Sequence, residues 1–406
     1  MNENSPAKMT ELSRVALKAA MQWGQTPEEA ADALERIPIR TFVDVLHAAA
    51  PDVVDLRETL VSGLCANDEG ADRATIDRNV RNWLSGRVMP TKREKLFKLC
   101  FVLNMDLKRA DDFLAVAGET GIHWRDAREM VYGYALREGM TWREAQALMA
   151  RVLPEPPREE KTQDGKKSSE DGKKKRGGKP KEVVQPARNE LTQLMKRDAG
   201  DIAGEDELRE YLLENAGRMS AMHNTAYRYF NYLMEMVKNP NVADEQNAYS
   251  IKEVIEKYLY AIPTLARKEA EGRPCMESIM KAWPNESMFS RMKTRTVDVS
   301  RKALLLLFIA TDGEDAYDEA YAEAAGSARA QANAAFKATY IRINTMLGNC
   351  GYHRLDPRNP FDWVILYCLR VNSADEFERE ALNERLGQVL ELLFADYRTA
   401  PKAEKD

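Results

Sequence analysis

No stretch of the sequence approaches the roughly 20 uninterrupted apolar residues that a membrane-spanning helix needs. The opening residues, MNENSPAKMTELSR, lack the basic, apolar and small-residue order of a secretion signal. A cytoplasmic location without a membrane partner is therefore expected. Cysteine is scarce: Cys65, Cys100, Cys275, Cys350 and Cys368 are odd in number and form neither a CxxC pair nor a Cys/His spacing suited to zinc. Reduced thiols, mostly in cores, and no metal site follow as expectations. The four histidines, His47, His123, His223 and His353, fall into no HExxH or HxH grouping. A Walker loop, a GxGxxG turn and a serine nucleophile elbow are also missing. Carboxylates are plentiful but lie in solvated runs such as Asp312 to Asp318. No catalytic residue and no cofactor are expected, and the chain is read as a non-enzyme.

Alternating strand-like patterns are absent too, and what is present is helical. Leu96, Leu99, Cys100 and Leu103 fall at i, i+3, i+4 and i+7, and Leu208, Tyr211, Leu212 and Asn215 start a similar stripe. With 406 residues, 44% hydrophobic and 31% charged, the chain can bury two cores. Between them, PEPPREEKTQDGKKSSEDGKKKRGGKPKEVVQP is nearly devoid of apolar residues and reads as a flexible linker. The expected organisation is all-α: a helical domain over 1–153, a Lys/Gly/Ser/Pro-rich linker over 154–188, and a second helical domain over 189–400. The run Lys173 to Arg176 reads as a solvated part of that linker rather than a nucleic-acid arm. Tyr227, Tyr229, Phe230 and Tyr232 sit at helical spacing and read as core rather than a base-stacking platform.

The two halves align with each other. Residues 114–137, LAVAGETGIHWRDAREMVYGYALR, match 347–370, LGNCGYHRLDPRNPFDWVILYCLR, without gaps. Leu114, Gly118, Arg125, Val131, Tyr134, Leu136 and Arg137 are identical to Leu347, Gly351, Arg358, Val364, Tyr367, Leu369 and Arg370, and Glu129 meets Asp362. Upstream, at another offset, Arg87 meets Arg295, Arg93 meets Arg301, Leu96 meets Leu304 and Leu99 meets Leu307. The offset places an acidic, alanine-rich insertion at about 312–337 of the second copy. Gly118 and Gly351 are expected at helix C-caps, and Arg125 and Arg358 just before the N-cap of the following helix. The fold expected is thus two helical bundles from a diverged internal duplication.

Net charge is -5, yet charge is uneven along the chain. From residue 73 to 98, eight basic residues (Arg73, Arg78, Arg81, Arg87, Lys92, Arg93, Lys95, Lys98) stand against Asp77 and Glu94. Within this stretch Asp77 is expected to cap a short helix whose apolar face is Val80, Trp83 and Leu84 and which ends at Gly86. Its other face would present Arg78, Asn79, Arg81 and Asn82. Arginine can bond guanine bidentately and asparagine adenine, so such a face suits a major groove. Pro90 would start the next helix, with Lys92, Arg93 and Lys95 near its start, in reach of phosphates.

The segment IDRNVRNWLSGRVMPTKREKLFKLCFVLNMDLKRADDFLAVAG resembles the second half of a bacterial Xre-like, phage-repressor-type helix-turn-helix domain. The resemblance covers about residues 55–118, with a diverged second copy at about 286–370. The preceding stretch, LRETLVSGLCANDEGAD, departs from the family pattern through a longer acidic break at Asn67-Asp68-Glu69-Gly70. The resemblance implies a recognition helix carrying Arg78, Asn79, Arg81 and Asn82, with Arg87 and Lys92 beside the DNA backbone. In the second copy Ser287, Ser290 and Arg291 take the outward positions, Thr294 replaces the glycine and Asp298 the proline, which does not suit base reading. The function expected is transcription regulation by binding double-stranded DNA, the second half contacting a protein partner or another copy. The alternative is a scaffold that contacts protein or structured RNA, as in a phage-defence or mobile-element operon.

Overall fold

A computed structural model describes residues 10–394, apart from positions 69, 71, 87, 91, 119, 220, 221, 271 and 282 and segments 154–189, 239–249, 259–269, 312–326 and 371–381. The expected linker, Arg87 and most of the expected acidic insertion lie outside the described residues.

The described residues are all-α. In the first half the helices are α1 (Glu11–Ala20), α2 (Pro27–Glu35), α3 (Phe42–Ala49), α4 (Leu56–Asn67), α5 (Arg73–Leu84), α6 (Arg93–Val102), α7 (Leu107–Gly118), α8 (Ala127–Arg137) and α9 (Trp142–Val152). In the second they are α10 (Glu190–Asp201), α11 (Glu205–Glu214), α12 (Asn224–Lys238), α13 (Ile251–Tyr258), α14 (Pro274–Met280), α15 (Glu286–Lys293), α16 (Arg301–Ala310), α17 (Ala328–Asn349), α18 (Pro360–Cys368) and α19 (Leu382–Leu393). Local chemistry starts many of them. Thr26 with Glu29, Thr41 with Asp44, and Thr141 with Glu144 form capping boxes that satisfy the opening N–H groups of α2, α3 and α9. Asp126 and Asn359 cap α8 and α18 as expected.

Burial divides the chain differently from the order of its residues. One core gathers α3 to α9 and adds Met195, Ala199, Ile202, Leu208 and Leu212 from α10 and α11 and the turn between them. The other gathers α12 to α19 and adds Ala16, Ala20, Ala30, Leu34 and Ile37 from α1, α2 and the residues after them. The N-terminal hairpin packs on α18 and α19, and the hairpin α10–α11 packs on α8 and α9. The expected boundaries at 153 and 189 therefore separate the chain but not the cores. The exchange is fastened by polar contacts. The Trp363 indole N–H, fully buried, donates to the Ala16 carbonyl at 2.9 Å. Arg137 donates to the carbonyls of Ala199, Gly200 and Ile202 at the end of α10, and the aligned Arg370 stacks on Trp23, just past α1, at 4.9 Å.

The aligned residues hold matching places. Arg93 donates to both Glu129 carboxylate oxygens, at 3.0 and 2.9 Å, and to the carbonyls of Thr120 and Gly121. Arg301 donates to both Asp362 oxygens, at 2.7 and 2.8 Å, and to the carbonyls of His353 and Arg354, which align with Thr120 and Gly121. The His123 N–H bonds Glu129 and the Asp356 N–H bonds Asp362, each at 2.8 Å. The Ile122 N–H bonds Asp111, and the Leu355 N–H bonds Asn344. Gly118 is explained by this clamp, not by a left-handed cap: a Cβ there would lie 2.7 Å from Arg93 Nη1. Gly351, by contrast, is left-handed at φ +78°.

The second clamp is the drier one. Arg301 and Asp362 side chains are 8% and 2% exposed, against 27% and 15% for Arg93 and Glu129. Arg301→Met strands a buried carboxylate and is expected to cost about 3–5 kcal/mol in denaturant unfolding. Arg93→Met should cost less, because water reaches Glu129; the reverse order of midpoints would refute this account.

Candidate nucleic-acid interface

Helix α5 is built by its two faces. Ile76, Val80 and Trp83 are buried against the core, and Lys95 covers the outer side of Trp83 at 5.5 Å. Asp72, not Asp77, caps the helix, accepting from the Ala74 and Thr75 N–H groups, so the helix starts one turn earlier than expected. Gly86 ends it at φ +71°, a backbone state that glycine adopts without strain. Helix α4 precedes it across residues 68–72 and packs along it. The helices on either side of the acidic break that departs from the family pattern thus pack on each other.

Of the expected site residues, four come together. Arg78 and Arg81 are exposed on α5, with Asn79 and Asn82 half-buried beside them. Arg78 has no hydrogen bond or ion pair among the described residues. Arg81 pairs with Asp77 at 3.2 Å, and Asp77 also holds Arg57 at 2.7 Å. These exposed pairs are each worth at most about 1 kcal/mol, so phosphate can compete for the guanidinium groups. Lys92 is the N-cap of α6 and exposed; Pro90 lies before the helix and is buried. Arg93, expected at the backbone, is instead consumed by the clamp to Glu129, Thr120 and Gly121. Lys98 also turns to the protein, pairing with Asp68 at 3.7 Å and covering Trp142 at 5.3 Å. Sequence reasoning missed Arg57, whose pairing with Asp77 joins α4 to α5; only the opposite charges hinted at it.

In the second half the aligned helix, α15, buries Phe289 and Met292 and exposes Ser287, Ser290 and Arg291. The left-handed residue after it is Arg295, at φ +56°, not Thr294. Tyr229 and Phe230 are buried in the core, with Tyr227 and Tyr232 packed against it.

The two halves meet through histidines. His123 stacks on His223 with ring centroids 4.0 Å apart and planes 14° from parallel. His223 Nδ1 bonds Asp298, which also accepts the His223 N–H. Nearby, Thr120 and Tyr352 form an isolated antiparallel bridge. Burial, then the charge on His223, pushes the His123 imidazole down to about 3. Asp298 is held below the usual carboxylate range by its bonds to His223, against the burial that would raise it. Among the described residues no three His, Cys, Asp or Glu side chains gather as a metal would need, and no helix is long and apolar enough to cross a membrane.

No family model, no curated protein and no solved structure matches the chain.

A histidine with a depressed folded value stays neutral in the fold and protonates when unfolded, so it stabilises above its unfolded pKa of about 6.5 and loses that contribution as pH falls toward 3. At pH 5 the loss from His123 is about 2 kcal/mol relative to pH 7. Asp298 acts only below the ordinary carboxylate range, outside this window. Melting curves should show stability falling from pH 7 to 5, and His123→Phe should flatten the slope, leaving the part due to half-buried His353, whose value is also lowered by desolvation. An unchanged slope would rule out the stack as the source.

Proposed function

We propose that the protein is a non-enzymatic DNA-binding regulator of helix-turn-helix type, in which α5 enters the major groove and the second half contacts a partner. The observation that carries this is the outward face of α5: Arg78, Asn79, Arg81 and Asn82 on one capped helix, with α4 packed behind it. Arg78 is available for a base edge, and Lys92, at the start of α6, for a phosphate. Ancestry from a duplicated unit fits the matching clamps at Arg93 and Arg301, and gives the second half a related bundle that lacks the Arg/Asn face. That leaves the second half for a protein partner or self-association.

One observation favours the scaffold alternative. Asp77 sits in the middle of α5 and engages both Arg57 and Arg81, which lowers the positive charge of the face. The two functions part in a mobility shift or in sequencing of co-purified nucleic acid. Sequence-specific retention is expected for the wild type, and Arg78→Ala/Arg81→Ala should lose at least about tenfold in affinity, each lost base contact costing roughly 1–3 kcal/mol. Lys92→Ala should weaken all sequences alike and reduce the salt slope by about one. Equal retention by wild type and double variant at moderate salt would remove α5 from the interface.

A further inference from the structure

Ala74, Arg78, Arg81 and Ser85, spaced at i, i+4, i+7 and i+11, form an exposed stripe along α5 and its C-cap, opposite the buried Ile76, Val80 and Trp83. Asp77 borders this stripe, its side chain 24% exposed. Arg57, in the first turn of α4, donates to both Asp77 oxygens from Nε and Nη2, at 2.8 and 2.9 Å. One turn earlier in α5, Arg73 pairs with Glu58 at 2.9 Å. The two helices are therefore tied a second time without Asp77.

The same carboxylate reaches Arg81 from the side. Asp77 Oδ2 lies 3.2 Å from Arg81 Nε, and Nη1 and Nη2 of Arg81 make no hydrogen bond among the described residues. A guanidinium is planar, so a carboxylate at Nε sets the plane of the group and leaves its two-nitrogen end open. That end can meet O6 and N7 of a guanine together. Arg78 is presented differently. It has no hydrogen bond or ion pair among the described residues, so its side chain follows a phosphate as readily as a base.

A negative charge beside a DNA-reading face opposes every phosphate that approaches, and its effect grows as the groove excludes water. An unrelated sequence offers nothing to offset that repulsion. A guanine that accepts from both Nη groups does, so the carboxylate rejects wrong sites while it aims the arginine at the right one. We propose, on the reading that α5 enters the major groove, that Asp77 sets its sequence preference by presenting Arg81 end-on to a guanine and by holding the face off unrelated DNA. Asp77 is a positioning residue, and Arg81 makes the contact. The charge that lowers the total attraction of the face is what makes the face selective.

Sites selected from a randomised duplex library by the full-length wild type and by Arg81→Ala identify the base pair that Arg81 reads, as the position whose preference disappears. There the wild type is expected to favour guanine by roughly tenfold or more. Asp77→Asn keeps the Glu58–Arg73 tie and the apolar face of α5. It should bring that preference below about threefold, while tightening an unrelated duplex and steepening its salt dependence. Loss of a structural tie alone would not tighten DNA binding. Asp77→Glu, which retains the charge, should recover most of the preference. Arg57→Gln, which removes the tie to α4 and leaves Asp77 beside Arg81, should keep it. A guanine preference left intact by Asp77→Asn, an unrelated duplex that this variant does not tighten, or an equal loss in Arg57→Gln overturns the role of Asp77 while the DNA reading stands. So does a wild-type preference in which Arg81→Ala loses no position. A wild type that selects no sequence sinks the DNA reading itself, and the role of Asp77 with it.

Discussion

An arginine at the start of one helix, bonded to a carboxylate in the first turn of another and to two carbonyls between them, holds each half together. Arg93 with Glu129 and Arg301 with Asp362 fix the turn that leads from one bundle helix to the next. The geometry leaves few lone pairs unmet: the carboxylate also takes a backbone N–H, so the partly buried charges are paired and hydrogen-bonded as their desolvation demands. Everything downstream inherits its position from this clamp. It orients α8 and α18, on which the two exchanged hairpins rest, and it places the residues that meet at the histidine stack. It also explains why Arg93, basic and next to the proposed interface, is not part of it.

The hairpin exchange gives each core a piece that is distant in sequence. The apolar faces of α1 and α2 are buried on α18 and α19, while α10 and α11 cover α8 and α9. The joint between the halves is chemically uneven as a result. On one side it uses ion pairs, Arg40 with Asp356 and Arg358 with Asp44. On the other it uses the His123–His223 stack and Arg125, which donates to the Arg218 carbonyl. One side is tied by ion pairs and the other by stacked rings, and the cleft on that side is lined by both aspartates and basic side chains.

Much of the fold was legible in local chemistry. The apolar spacing of Leu96, Leu99 and Cys100 gave α6, the positive-φ glycine gave the end of α5, and the Arg/Asn face was visible because its buried counterpart, Val80 and Trp83, has helical spacing. Residues paired by the alignment of the halves, Arg93 with Arg301 and Glu129 with Asp362, make matching hydrogen bonds. The rest depended on contacts that spacing does not encode. Asp77 looked like a cap because it precedes an apolar stripe, yet Asp72 lies one turn earlier and Asp77 has arginines within reach. Arg93 looked solvated because its partner Glu129 lies 36 residues away. Thr294 aligns with Gly86, yet the left-handed residue is Arg295, one position later, which only backbone geometry identifies. The destination of the first hairpin, more than 300 residues along the chain, carried no sequence signal beyond its amphipathic faces.

The exchanged hairpins also decide what the chain could become if it were cut. A single cleavage between residues 153 and 190 would leave two fragments, each holding most of one core and the hairpin that completes the other. Neither would be a finished folding unit, yet their surfaces are mutually complementary by construction. The fragments would recognise each other through the same indole-to-carbonyl and arginine-to-carbonyl bonds that join the intact chain. What is connectivity in one polypeptide would then be heterodimer specificity between two.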